Sequence, residues 1–81
     1  MQIKLDQHVP AAEGDILVGA AAIANFLYRD AKLRRKVYYR VERGEIPHFY
    51  MGGTVCSTRS ALMRMIARQM RATILQLEAA S

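Results

Sequence analysis

A chain of 81 residues with 52% apolar side chains and a net charge of +5 is sized for one domain and too apolar to be disordered throughout. Its single cysteine, Cys56, excludes an intrachain disulfide and points to a reducing compartment; with His8 and His48 far apart, it offers no metal-ligand spacing. The charge is unevenly placed: residues 1–31 hold two basic and four acidic side chains, whereas residues 32–71 hold ten basic and two acidic. Segregation of this kind is the electrostatic footprint of a polyanion binder, although many basic helices simply face water.

Residues 1–14 contain Pro10 and Gly14 and show no sustained period, so they read as an arm with at most a short strand. The run ILVGAAAIANFLY over residues 16–28 has the length of a signal-peptide core. Its leader carries Asp6, Glu13 and Asp15 against Lys4, the wrong sign for export, and the run is too short to span a bilayer. A buried helix in a cytoplasmic protein is expected instead. Ala20, Ile23, Ala24 and Leu27 fall at helical spacing and place that helix at about residues 20–28.

A polar link from Arg29 to Lys32 leads into KLRRKVYYRVERGEIP. There Leu33, Val37 and Val41 recur every four residues and form one core-facing stripe with Tyr38 on its flank. Arg34, Arg35, Lys36, Tyr39, Arg40 and Arg43 fall elsewhere on the cylinder. Gly44 suits a left-handed C-terminal cap, and Pro47 prevents the helix from resuming. The period then changes to two: HFYM and TVCS flank Gly52-Gly53, a dipeptide made for a tight hairpin turn. Phe49 and Met51 share one face of that hairpin, as do Val55 and Ser57, and a hairpin this small must lean on the helices. His48 reads as an edge residue and Cys56 as a small packed one. A last helix begins with Ser60 as the favoured N-cap and Thr58 as its rival, and its apolar positions include Leu62, Met65, Ile66, Met70, Ile74 and Leu77.

Helix, turn, helix, two-stranded hairpin, long helix: this order predicts a mainly α fold with a small β-hairpin, a winged helix-turn-helix. The expected divisions are an arm over 1–14, the DNA-binding domain over 15–68 and a helical extension over 69–81. A paired carboxylate set, a nucleophile–base arrangement and a phosphate-cradling glycine loop are all missing from the sequence, so neither catalysis nor a cofactor or metal is expected.

The stretch from Asp15 to about Ile66 resembles the excisionase-like branch of the MerR-type winged-helix superfamily. These are small phage and mobile-element proteins that include recombination directionality factors and AlpA-like regulators, and within them the chain resembles the rhizobial integrative-element type. The resemblance rests on ILVGAAAIANFL, on RRKVYYRVERGEIPHFYMGG and on TRSALMRMI, at these separations. It implies that the second helix enters the major groove of double-stranded DNA, with Lys32, Arg34, Arg35 and Lys36 at its leading end and Tyr38 and Tyr39 following. It also implies that Gly52, Gly53 and Thr54 form a wing tip near the backbone or the neighbouring minor groove. The chain departs from the family pattern at Tyr28, where glycine is common, at Leu33 in place of a serine cap, at Arg40 in place of an apolar residue and at Thr54 in place of a basic one.

Each residue also has a plainer reading. Arginines at a helix N-terminus oppose the helix dipole, a loss that an anionic partner would offset, and their forks match guanine or phosphate. Lys36 suits a phosphate better than a base, and Arg40 and Arg43 suit backbone phosphates. Tyr38 suits packing, while Tyr39 is open to DNA contact or simple exposure. In the last helix Met63, Ile66, Met70, Thr73 and Leu77 step like a coiled-coil seam. Its first turns close the core, whereas Met70, Ile74 and Leu77 become candidates for protein–protein contact with a second copy or an integrase. Arg64, Arg68 and Arg71 can assist DNA binding or be merely solvated.

The expected function is that of an excisionase. Cooperating copies would bind and bend attachment-site DNA in the bacterial cytoplasm, associated with the nucleoid, and direct a site-specific integrase toward excision. The alternative is a mobile-element transcription regulator built on the same domain; a pure interaction module is a third class. No membrane partner is expected.

Overall fold

The structure is a computed structural model and describes residues 14–80. The expected arm lies outside the described residues except for Gly14, as does Ser81. The elements run β1 (Ile16–Val18), α1 (Ala20–Tyr28), a 3-10 turn (Ala31–Leu33), α2 (Arg34–Glu42), β2 (Phe49–Met51), β3 (Thr54–Thr58) and α3 (Arg59–Ala80). The architecture is mainly helical, with a small antiparallel sheet of three strands in the order β1-β3-β2.

The two-stranded hairpin expected from sequence is present as β2–β3, and the sheet is corrected to three strands by the addition of β1. Leu17 pairs with Ser57 and Val18 with Cys56, while Phe49 pairs with Cys56 and Tyr50 with Val55 across the other edge of β3. A strand of three residues is too short to show a period of two, so β1 becomes a strand only through its long-range partner. The hairpin turn follows the sequence closely: Gly52 and Gly53 have φ 56° and 89°, the positive values that a two-residue turn matching strand twist demands.

Alternation along the strands divides the sheet into two faces. Leu17, Val55 and Ser57 face inward and are buried. Ile16, Val18, Phe49 and Met51 lie on the other face and stay exposed, although Cys56 between Val18 and Phe49 is fully buried. Phe49 and Met51 do share a face, as expected, but it is the face turned away from the helices. The core is a single cluster in which each helix supplies one large, fully buried side chain: Ile23 from α1, Val37 from α2 and Leu62 from α3. Ala20, Ala24, Val41, Ile46, Leu17 and Val55 complete it. Ser57, the one buried polar side chain among the described residues, donates from its hydroxyl to the Pro47 carbonyl at 2.6 Å and ties the segment after α2 to the central strand.

The start of α3 is capped from two directions. Thr58 Oγ1 accepts the Ala61 N–H at 3.1 Å, so the rival of the favoured Ser60 is the N-cap. Ser60 lies inside the first turn and donates its hydroxyl to Asp15 Oδ2 at 2.6 Å. Asp15 also accepts the Ser60 N–H on Oδ1 at 3.1 Å and the Arg59 N–H on its carbonyl at 2.8 Å. Three amides that a helix start leaves open are satisfied, and a carboxylate sits at the positive end of the helix dipole. Nothing local to Asp15 marks it as a cap for α3, because the residue it meets lies 45 positions along the chain.

The α3 helix runs unbroken through the expected division at residue 68, and every described residue from Ala67 onward is exposed. No helix among the described residues is long and apolar enough to cross a membrane.

Asp15→Ala is expected to lower unfolding free energy by about 0.5–2 kcal/mol, the usual cost of a lost cap. Urea denaturation against the parent chain checks it, and an unchanged midpoint would show that water replaces the carboxylate without loss.

Candidate functional site

The site is built on α2. Burial of Val37 and Val41 fixes the rotation of this helix, and the residues between them therefore point outward. Arg34, Arg35, Lys36, Tyr38, Tyr39, Arg40 and Arg43 are all exposed, as is Lys32 in the preceding turn. Leu33 is half-buried at the edge of the core, the expected start of the valine stripe.

The lead-in differs from the simple polar link. Asp30 opens the 3-10 turn: its Oδ1 accepts the Lys32 N–H at 2.9 Å and its carbonyl accepts the Leu33 N–H at 3.1 Å. The turn passes directly into α2 at Arg34, whose own N-cap residue Leu33 makes no side-chain cap bond. Asp30 thereby caps the combined helical segment and places a carboxylate where the dipole of a basic first turn needs one. The sequence carries a signal for this, since aspartate just before a helical run is a start mark; the polar link expected over residues 29–32 is in part the 3-10 turn Ala31–Leu33, and the α-helix itself begins at Arg34.

Ahead of the first residue of that turn, Arg29 caps α1 in the left-handed conformation, φ 59° and ψ 30°, with its N–H on the Asn25 carbonyl at 2.9 Å. It is the one non-glycine residue with positive φ among the described residues. Such backbone costs an L-residue roughly 1–2 kcal/mol. Beside it, Lys36 of α2 holds its ammonium 5.3 Å from the Tyr28 ring centroid, a cation–π contact that turns Lys36 back toward α1. Lys32, Arg34 and Arg35 make no side-chain interaction with other described residues.

The far end of α2 behaves differently. Gly44 adopts φ 71°, as expected for a left-handed cap. Its N–H donates to the Val41 carbonyl and the Glu45 N–H to the Arg40 carbonyl, both at 2.9 Å, which is the bonding of a Schellman motif. The side chains that this motif brings together are usually apolar; here they are Arg40 and Glu45, joined Nη1 to Oε1 at 3.0 Å. Arg43 adds Nε to Oε2 of the same carboxylate at 2.7 Å and stacks 5.3 Å from the Tyr39 centroid. Two cations and one tyrosine assigned to a partner are therefore engaged with the chain itself. Sequence spacing separates Arg43 from Glu45 by only two residues, but the reversal at Gly44 is what makes them meet.

Glu45 is held below its ordinary carboxylate range, chiefly by the hydrogen bond from Arg43, and the Arg43 guanidinium is raised by the same bond. A lowered native value means that Glu45 stabilises the fold fully above the ordinary glutamate range and loses that contribution as pH falls through the lowered value.

The hairpin brings Gly52, Gly53 and Thr54 to an exposed tip, as the sequence reading required. Between His48 and Thr58 it carries no Lys, Arg, Asp or Glu. Phe49, Tyr50 and Met51 are exposed instead, and His48 packs edge-on to Tyr50 with centroids 5.6 Å apart while its Nδ1 lies 2.7 Å from the Ile46 carbonyl. On α3, Met70, Ile74 and Leu77 are 58%, 48% and 65% exposed, so the apolar stripe expected to meet another chain lies on the surface. An open groove of about 240 Å³ is lined by Leu27, Tyr28, Arg40, Met65, Ile66 and Gln69. Among the described residues no cluster of three His, Cys, Asp or Glu could hold a metal ion.

The structure thus separates the candidate residues into five places. Lys32, Arg34, Arg35 and Lys36 gather at the leading end of α2; Tyr38 stands on its outer side, and Tyr39 and Arg43 at its trailing end; Gly52–Thr54 form the hairpin tip; Met70, Ile74 and Leu77 lie along α3. No protein-family model, curated protein or solved structure matches this chain.

In an NMR pH titration the Glu45 carboxyl is expected to show a midpoint below that of an ordinary glutamate, moving upward in Arg43→Ala. A midpoint indifferent to Arg43 would remove the clasp as its cause.

Proposed function

We propose that the protein is a sequence-specific, double-stranded-DNA-binding protein with a winged helix-turn-helix, acting as an excisionase on attachment-site DNA. In this reading α1, the 3-10 turn and α2 form the helix-turn-helix, α2 lies in the major groove, and β2–β3 is the wing. The observation that carries it is the leading end of α2, where Lys32, Arg34 and Arg35 are exposed and without side-chain partners among the described residues. A helix seated by its valines, with exposed guanidinium forks in its first turn, suits a groove that presents guanine O6 and N7 between rows of phosphate.

Roles within that reading follow from what each side chain already does. Arg34 and Arg35 have unspent forks and are assigned to base edges or phosphates. Lys36, turned toward Tyr28, is assigned to a phosphate. Tyr38 and Tyr39 lie 51% and 58% exposed and border the helix as hydroxyl donors to the backbone. Arg43 neutralises Glu45 first and reaches a phosphate only by exchanging that partner. The uncharged hairpin contributes through Thr54 and the backbone amides of its glycine turn rather than through Coulomb attraction.

The exposed stripe of α3 favours an excisionase over a regulator that works as a single bound copy. Deforming DNA costs up to several kcal/mol, which contacts from adjacent copies would offset. The stripe suits a second copy or the integrase, and the protein is placed in the bacterial cytoplasm, on the nucleoid, with no catalytic role of its own.

Arg34→Ala or Arg35→Ala is expected to weaken binding to the specific site by about 1–3 kcal/mol while sparing affinity for random duplex more, if that arginine reads a base. Footprinting and anisotropy on both duplexes make the comparison; equal losses on both would reassign the residue to phosphate. In a plasmid recombination assay with the integrase encoded beside the target site, excised product is expected to depend on this protein. A promoter response that persists without integrase, with no excision product, would instead establish the regulator.

A further inference from the structure

We propose that Arg29 is a further phosphate-contacting residue of the same DNA-binding surface, and that the left-handed backbone at the end of α1 is kept in order to present its side chain there. The proposal rests on the DNA-binding reading of α2 and adds a residue outside that helix.

Arg29 adopts φ 59° although glycine holds this conformation at no steric cost. Its backbone role, donating to the Asn25 carbonyl, would be served equally by glycine. The helix dipole does not account for the choice either. A cation one residue earlier, in place of Tyr28, would meet the same carbonyl end from ordinary helical backbone. What remains is the side chain, which is exposed and makes no hydrogen bond, ion pair or ring contact with other described residues. Strain retained at an exposed polar residue is the kind of outlier from which a functional role is argued.

The surroundings specify the ligand. Arg29 begins the run RDAKLRRK, which delivers Lys32, Arg34 and Arg35 to the leading end of α2. The one acid in that run, Asp30, is occupied by the Lys32 amide. Arg29 also lines an open depression with Asn25 and Phe26, and the Arg59 guanidinium lies 6.0 Å from the Phe26 ring centroid. A guanidinium fork, a side-chain amide and a second nearby cation around a shallow, open surface fit a phosphodiester oxygen of the DNA backbone. They offer nothing to hold a small molecule in place.

The test uses the full chain, a fluorescein-labelled random-sequence duplex, and the variants Arg29→Gly and Arg29→Lys. Arg29→Gly is expected to melt a few degrees higher than the parent because the strain is relieved. It should also bind several-fold more weakly at moderate salt, with a log–log salt slope shallower by about 0.9, the signature of one lost phosphate contact. Arg29→Lys should keep the parent's slope. An Arg29→Gly chain that binds with the parent's affinity and slope overturns the proposal, and so does one that melts no higher, since the strain argument then fails. If the parent itself shows no salt-dependent duplex binding, the reading of α2 falls and Arg29 falls with it. A binding parent with an indifferent Arg29→Gly removes Arg29 alone.

Discussion

The burial of Val37 and Val41 against Ile23 and Leu62 is the constraint on which the rest of the molecule depends. Removing a valine side chain from water contributes about 1.5–3 kcal/mol, whereas an exposed ion pair is screened by solvent and contributes far less. The rotation of α2 is therefore set by its two valines, not by Arg40, Arg43 and Glu45. Once that rotation is set, helical geometry turns Arg35 and Lys36 away from the core, while Arg34, on the same side as the valines, is exposed in the first turn. The presentation of the basic end is a consequence of packing elsewhere, and a mutation that loosened the valine seat would redirect the cations without touching one.

The same core is held in register by polar contacts at its margins. Ser57 fastens the segment after α2 to β3, and Asp15 fastens the lead-in to β1 onto the start of α3, 45 residues away. A small domain has little apolar surface to bury and relies on such long-range ties. They also account for the charge asymmetry. Asp15 caps α3, Asp30 caps the turn before α2, and Glu45 clasps the cations behind it. These three acidic groups are engaged at helix ends, and among the described residues none of them pairs its side chain with Lys32, Arg34 or Arg35.

Features of local origin were legible in the sequence. Helix α1 follows from the spacing of Ala20, Ile23, Ala24 and Leu27, the hairpin from Gly52-Gly53, and the end of α2 from Gly44. Each is determined within a few residues. Features that depend on distant partners were not legible. Ile16–Val18 becomes a strand because β3 has a free edge, and Ser60 loses the cap to Thr58 because Asp15 arrives from the other end of the chain. Within the candidate site, the grouping of Lys32, Arg34, Arg35 and Lys36 was readable from their adjacency at the start of the helix, not from phase, since Arg34 shares the side of Val37 and Val41. The engagement of Arg43 with Glu45 was not, because it needs the chain reversal at Gly44, and the exposed outer sheet face was hidden behind a pattern that looked like ordinary alternation.

A chain that is 52% apolar yet leaves Ile16, Val18, Phe49, Met51, Met70 and Ile74 on its surface has more apolar surface than its own core uses. Burying such surface between copies is favourable, but each copy carries a charge of +5, and two of them approaching in dilute solution repel. Under the proposed reading, the duplex resolves this opposition. Phosphates neutralise the leading end of α2 and bring copies to adjacent sites, so the repulsion falls as the local concentration rises. Association is then coupled to occupancy of the DNA, and the apolar faces act where several copies are already aligned. A basic domain with a small core and spare apolar faces is consistent physics for a protein that assembles on a polyanion rather than before meeting it.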